Sequence, residues 1–104
     1  MKCLTILYPA KDNEGFDFEF YKRRHAPLIK EIMGHSCHRI EVRKGVPDPQ
    51  NEAPQWIAVI SIWISDVDHY RKAIAERGQE LIDEVPLFTK QMPVVQIDDV
   101  QFEL

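Results

Sequence analysis

His25 is the ionisable side chain most in need of an explanation, because it falls on the apolar face of a helical pattern running from Phe16 to Gly34. Residues three and four apart share one side of a helix, which places Phe18, Tyr21, His25, Leu28, Ile29 and Ile32 on one stripe. Lys22, Arg23, Lys30 and Glu31 fall on or toward the opposite side. Burying an imidazole costs free energy unless it finds a hydrogen-bonding partner. The group titrates at about pH 6.5, so modest changes of environment let it donate or accept a proton near neutrality. Tyr21, one turn away, could orient the ring or bind a substrate oxygen. Tyr8 would bring a second phenol to the same region if its side chain faces the helices. Trp63, Phe88 and Met92 are the candidate apolar walls. A mostly apolar pocket with two or three convergent polar groups is the usual form of a small-molecule site. The competing reading is that His25 bonds a backbone carbonyl freed by Pro27 and only fixes the helix, with Tyr8 and Tyr21 as core residues whose hydroxyls lie at the rim.

The remaining candidates are weaker. Asp17 reads as a helix N-cap and not as an acid catalyst, and His69 falls on the exposed part of a second helix. His35-Ser36-Cys37-His38 gathers metal-capable side chains in one short run. It supplies no tetrahedral set, and His25 and His69 add no ligand spacing, so no metal is expected. Cys3 and Cys37 lack a nucleophile's setting. No Gly-x-Gly-x-x-Gly, phosphate loop or serine elbow occurs, which leaves nucleotide, flavin and nicotinamide chemistry without support and no cofactor expected. Any reaction would run on side chains and a bound substrate.

Composition narrows the classes further. A chain of 104 residues is one domain, 1–104, and 44% hydrophobic with 29% charged residues is ordinary for a globular fold. The net charge of −4 leaves no basic footprint for nucleic acid, and Lys22-Arg23-Arg24 reads as a solvated helix face. Nothing resembles a signal peptide, and no apolar run approaches the roughly 18 residues of a membrane span. The expected setting is the reducing cytoplasm, with both cysteines as thiols and no membrane partner.

The elements that must position these residues follow from periodicity. Lys2–Tyr8 is predicted as a strand closed by Pro9, and Ala10–Gly15 as a loop. The first helix begins at about Asp17, kinks near His25-Ala26 ahead of Pro27, and stops at Gly34. His38–Lys44 is a strand with Ile40 and Val42 on one side and Arg39, Glu41 and Arg43 on the other. Gly45–Gln55 is a loop, and Trp56–Ile64 the strongest strand. Ser65-x-x-Asp68 resembles a capping box for a second helix with the stripe Val67, Tyr70, Ile74, Leu81 and Val85. Gly78 weakens the middle of that helix and is an expected point of bending or early stopping, and Pro86 ends it at the latest. Pro93–Asp98 is the fourth strand, followed by Val100, Phe102 and Leu104 in a short tail.

This order, βαββαβ, is the α+β ferredoxin-like arrangement, with a four-stranded antiparallel sheet, both helices on one face, and the first and third strands central. The third strand carries Trp56, Ala58, Ile60, Ile62 and Ile64 on one side and Ile57, Val59 and Trp63 on the other. Two helices on one face cannot cover both sets, and a bare apolar face is unusual in a monomer. The least elaborate cover is a second copy, so the expectation is a homodimer with sheets face to face, forming a barrel, and with the tail pairing across it.

The run Leu7-Tyr8-Pro9, then Phe16-Asp17-x-x-x-Tyr21-x-x-x-His25-x-Pro27-Leu28 and Gly34, resembles the EthD family of the dimeric α/β-barrel superfamily. Glu41-Val42-x-x-Gly45, the aromatic-led third strand, and Pro86-x-Phe88 through Pro93-Val94-x-Gln96-Ile97 extend the resemblance over nearly the whole chain. The resemblance implies a ferredoxin-like homodimer with a pocket between sheet and helices in each protomer. It also implies a role in breaking down xenobiotic ethers or similar small organic compounds. Relatives include lactone isomerases and cofactor-free oxygenases. The expected function is a cofactor-independent enzyme acting on a small hydrophobic carbonyl, lactone or aromatic molecule with His25 as general acid/base. The alternative is a ligand-binding accessory protein working beside an oxygenase; a haem-associated monooxygenase ranks behind both.

Overall fold

Four isoleucines and a valine in nine residues give Trp56–Ile64 the β-branched content that a pleated, packed surface favours, and this run forms β3. The computed structural model describes residues 1–11, 15–50 and 52–104. β1 (Lys2–Pro9), β2 (Cys37–Lys44), β3 and β4 (Val94–Asp99) make one antiparallel sheet in the order β2-β3-β1-β4. A first helical segment sits between β1 and β2, and α3 (Val67–Glu84) between β3 and β4. This is the predicted ferredoxin-like α+β architecture.

The register divides every strand into two sides. Leu4 pairs with Ile62, Ile6 with Ile60 and Tyr8 with Ala58, and these join Ile29, Met33 and Val85 from the helical side in the core. Ile60, Ile62 and Ile64 are at most 1% exposed. The opposite side carries Arg39 beside Trp63 and Arg43 beside Val59, with Cys3, Thr5 and Leu7 next along the same rows. Ile57, Val59 and Trp63 are half-buried there without any helix over them. Polar chains break up this second face. Arg43 Nη2 donates to Ser61 Oγ at 3.2 Å, Thr5 Oγ1 donates to Asp98 Oδ2 at 2.6 Å, and the Arg39 guanidinium lies 4.8 Å over the Trp63 ring.

The first helical segment is not a uniform α-helix. Asp17 caps α1 (Phe18–Phe20), its carboxylate accepting from Phe20 N at 2.9 Å. A π-helical stretch, Tyr21–His25, follows, and then α2 (Ala26–Met33). The predicted kink at His25-Ala26 is thus a change of helix type. Ala26 N–H reaches back five residues to Tyr21 O, and Pro27 has no N–H to continue the α ladder. Gly34 ends α2 at φ +55°, a backbone region that favours glycine.

Several boundaries differ from the sequence reading. Pro9 belongs to β1, because the register shifts between Tyr8 and Pro9 and the ladder absorbs the proline at that irregularity. β2 starts one residue early at Cys37, and β4 runs from Val94 to Asp99. Asp66, not Ser65, caps α3, accepting from His69 N at 3.0 Å, while Ser65 Oγ donates to His35 O at 3.1 Å. α3 passes through Gly78 without stopping, and Gly78 is buried where a Cβ would lie 2.9 Å from Ile74 Cγ2. Gly45 N donates to Ile57 O at 2.9 Å and holds the start of the 45–55 loop against β3. Residues 12–14 of the predicted Ala10–Gly15 loop, and residue 51, lie outside the described residues.

Candidate functional site

The π-helical stretch places His25 on the core side, only 4% exposed, between aromatic rings. Its ring centre is 4.6 Å from Phe88 and 4.9 Å from Tyr21. Nδ1 lies 2.9 Å from Oε1 of Glu84, the last residue of α3. A carboxylate can only accept, so Nδ1 carries the proton and Nε2 keeps the free lone pair. Burial pushes the imidazole below its ordinary pKa, while the hydrogen bond to Glu84 and its charge pull it back up. His25 therefore does not bond a carbonyl freed by Pro27; it bonds a carboxylate from the other helix.

Glu84 is the functional candidate that the sequence reading missed. It stands three residues after Leu81 on the inner stripe of α3, two before Pro86. A carboxylate on an apolar stripe at a helix end was the available signal.

The two phenols lie deeper than expected. Tyr8 faces the helices at 2% exposure, with its ring 5.7 Å from Phe88 and 5.1 Å from Phe16. Tyr21 is fully buried, and its hydroxyl has no hydrogen-bond partner among the described residues. Both are core residues as expected, but the Tyr21 hydroxyl is buried and does not reach a rim. Burial raises both pKa values, and for Tyr21 the nearby Tyr8 raises it further.

His25 and Tyr8 line a recess of about 120 Å³ between sheet and helices. Leu4, Ile6, Ile29, Ile62 and Val85 form its walls, and Ile82, Met92 and Val95 are exposed where it opens beside β4. Of the predicted walls, Phe88 packs on the His25 ring and Met92 stands at the mouth. Trp63 does not belong to this recess. Its pairing with Cys3 and Arg39 puts it on the sheet face away from the helices, because successive strand residues alternate sides and Ile62 and Ile64 point inward.

The histidine–cysteine run does not assemble. His35 stacks on His69 at 3.9 Å between ring centres and approaches Asp66 Oδ2 at 3.4 Å, while His38 lies with Arg39 and Trp63 on the outer face. Among the described residues, no three His, Cys, Asp or Glu side chains come together as a metal site, and no helix is long and apolar enough to cross a membrane.

The fold and recess define a small ferredoxin-like α+β protein in which a buried histidine is paired with a partly buried glutamate. An EthD-like protein from Ralstonia eutropha JMP134 has a similar structure, with a TM-score of 0.90 and 25% identity over 99% of this chain and 94% of that one. An ethyl tert-butyl ether d (EthD) family protein from Bacillus halodurans C-125 superposes with a TM-score of 0.73 and 20% identity, over 97% of this chain and 99% of that one. By structure, the chain is EthD-like over nearly its full length. No family model and no curated protein matches the sequence.

Proposed function

We propose that the chain is a cofactor-independent acid–base enzyme acting on a small hydrophobic carbonyl, lactone or aromatic compound, with His25 as the proton carrier. The observation that carries this reading is the 2.9 Å contact between His25 Nδ1 and Glu84, beside an apolar recess that His25 itself lines. Glu84 holds the ring in one tautomer and stabilises the imidazolium that forms when Nε2 takes a proton. A proton removed from the carbon next to a carbonyl and returned elsewhere gives an isomerisation with no redox partner. Tyr8 is the phenol on the recess wall that donates to the enolate oxygen. The volume suits a compact substrate. A dry cavity of about 150 Å³ takes benzene, and this recess offers about 120 Å³. The likeness to an ethyl tert-butyl ether d family protein fits a small, branched, apolar ligand.

Proton exchange into solvent tests this reading. Small lactones and enones, α-angelica lactone first, are incubated with the protein in deuterated water and followed by proton NMR. The wild-type chain is expected to accelerate exchange next to the carbonyl, and His25→Ala to lose about 10²–10⁴-fold with the fold unchanged. Exchange that survives His25→Ala would sink the assignment. The low exposure of His25 favours the second reading, an accessory ligand-binding protein. Saturable binding with no exchange, scarcely altered by His25→Ala, selects that alternative.

The same proposal includes a two-fold homodimer through the outer sheet face. Ile57, Val59 and Trp63 are half-buried there, and Val94 at the neighbouring edge is exposed. Arg39 and Arg43, each paired with Glu41 between them, lie at the β2 edge of this face and Asp98 at its β4 edge. Val100 N donates to Met1 O at 3.3 Å, whereas Phe102 and Leu104 beyond it are uncovered and free to cross to a partner.

A further inference from the structure

A recess larger than the one beside His25 occurs elsewhere in the fold. It lies on the other flank of the first helical segment, over the β2 edge, and has a volume of about 450 Å³. Phe18, Tyr21, Ala26, Pro27, Ile40 and Val42 form it. The π-helical turn helps to make this groove, because it brings Tyr21 and Ala26 within one widened turn. Ile40 and Val42 pair with Ile62 and Ile60, so they are on the helix side of the sheet, yet Val42 remains exposed. No described element covers that end of β2.

The rim has a charge bias. Lys22 and Lys30 line the groove, and Lys44 Nζ is 5.9 Å from the centre of the Phe18 ring. Neither Lys22 nor Lys30 makes a hydrogen bond or ion pair with its side chain among the described residues. Glu19 is the one carboxylate in the lining. An apolar floor under a net positive rim is unexpected in a chain whose overall charge is −4. The buried, unpartnered Tyr21 hydroxyl belongs to the residue forming the inner wall. A volume of about 450 Å³ falls within the ordinary range for small-molecule sites, and a mostly apolar lining with few polar groups is their usual chemistry.

The geometry points to a second ligand site in this groove, for a compact aromatic or branched carboxylate. Its apolar body lies on Phe18, Pro27, Ile40 and Val42, and its anion is held by Lys22 and Lys30. A lysine ammonium on a flexible stem suits a carboxylate at a solvent-facing rim, where contact geometry need not be bidentate. The site is separate from the His25 recess and stands whether or not His25 turns over a substrate. An acidic, apolar segment of a second copy is the competing occupant.

The probes are 1-naphthoate and its neutral isostere 1-naphthamide, titrated into the full-length 15N-labelled chain. Naphthoate is expected to shift the amides of Tyr21, Ala26, Lys30, Ile40 and Val42 and to bind at least tenfold more tightly than the amide. Lys22→Gln with Lys30→Gln, both at the rim, should bring naphthoate down to the level of naphthamide, with the rest of the spectrum unchanged. Val42→Asp should weaken both probes. Equal binding of the two probes overturns the proposal, as do shifts confined to Ile6, Tyr8 and Val95, or no effect of the double lysine variant. In the Val59→Glu chain, in which the proposed sheet-face dimer is broken, groove amides that move on dilution without any probe would show that a second copy covers the groove, which also overturns it.

Discussion

His25 and Glu84 are 59 residues apart in sequence and 2.9 Å apart in space, and their contact joins the middle of the first helical segment to the end of α3. His25 is buried and Glu84 only partly so, and the contact combines two opposed influences on one imidazole. Burial favours the neutral ring and Glu84 favours the charged one, with burial the larger.

The sign of the resulting pH dependence follows from this balance. The unfolded chain takes up a proton on His25 at about pH 6.5, and the folded chain only at lower pH. Stability from this group is complete above about pH 6.5 and falls as the pH drops toward the folded-state value. Glu84→Gln removes the charge that supports the imidazolium, so the His25 midpoint should fall further. NMR titration of the imidazole in the wild type and in Glu84→Gln reads both shifts. A wild-type midpoint above 6.5, or one that rises in the variant, would contradict the arrangement.

Tyr21 supplies a stability test of different character. Its hydroxyl is buried without a partner, and such a group costs about 1–3 kcal/mol when desolvated and unsatisfied. Tyr21→Phe keeps the ring contacts with Phe16 and Phe88 and removes only that oxygen. Urea denaturation is expected to give a variant as stable as the parent or more stable by about 1 kcal/mol. A loss greater than about 1 kcal/mol would mean that the hydroxyl has a hydrogen-bonding partner.

The outer sheet face gives the association test. Val59→Glu puts a carboxylate between Leu7 and Arg43 in the middle of the proposed contact, on a side chain that points away from the core. Sedimentation at micromolar concentration should show a dimer for the parent and a monomer for the variant, with matching far-UV spectra. A parent that sediments as a monomer removes the dimer.

The strand order and sidedness were legible because alternation is a local property. Ile40 and Val42 opposite Arg39 and Arg43, and Ile60 and Ile62 opposite Val59 and Trp63, can be read directly from the chain. The position of His25 on an inward stripe was legible for the same reason. Which face of the sheet carries the helices is not local. Trp63 therefore reads as a pocket wall from the sequence, although parity separates it from Ile62. Glu84 was illegible because its role depends on where the end of α3 meets the first helical segment, a packing relationship that no single stripe contains. The cap at Asp66 rather than Ser65 shows how little separates two adjacent capping residues. Ser65 was drawn away by the His35 carbonyl.

β1 lies inside the sheet and pairs along six positions with β4, from Lys2 opposite Asp99 to Leu7 opposite Val94. β1 is made before the other three strands and therefore waits for β4, the last of them in the chain. Until then, the edge of β1 that pairs with β4 has unsatisfied backbone donors and acceptors, an opening for pairing with the wrong neighbour. Such distant closure should make folding slow relative to helical proteins of this length.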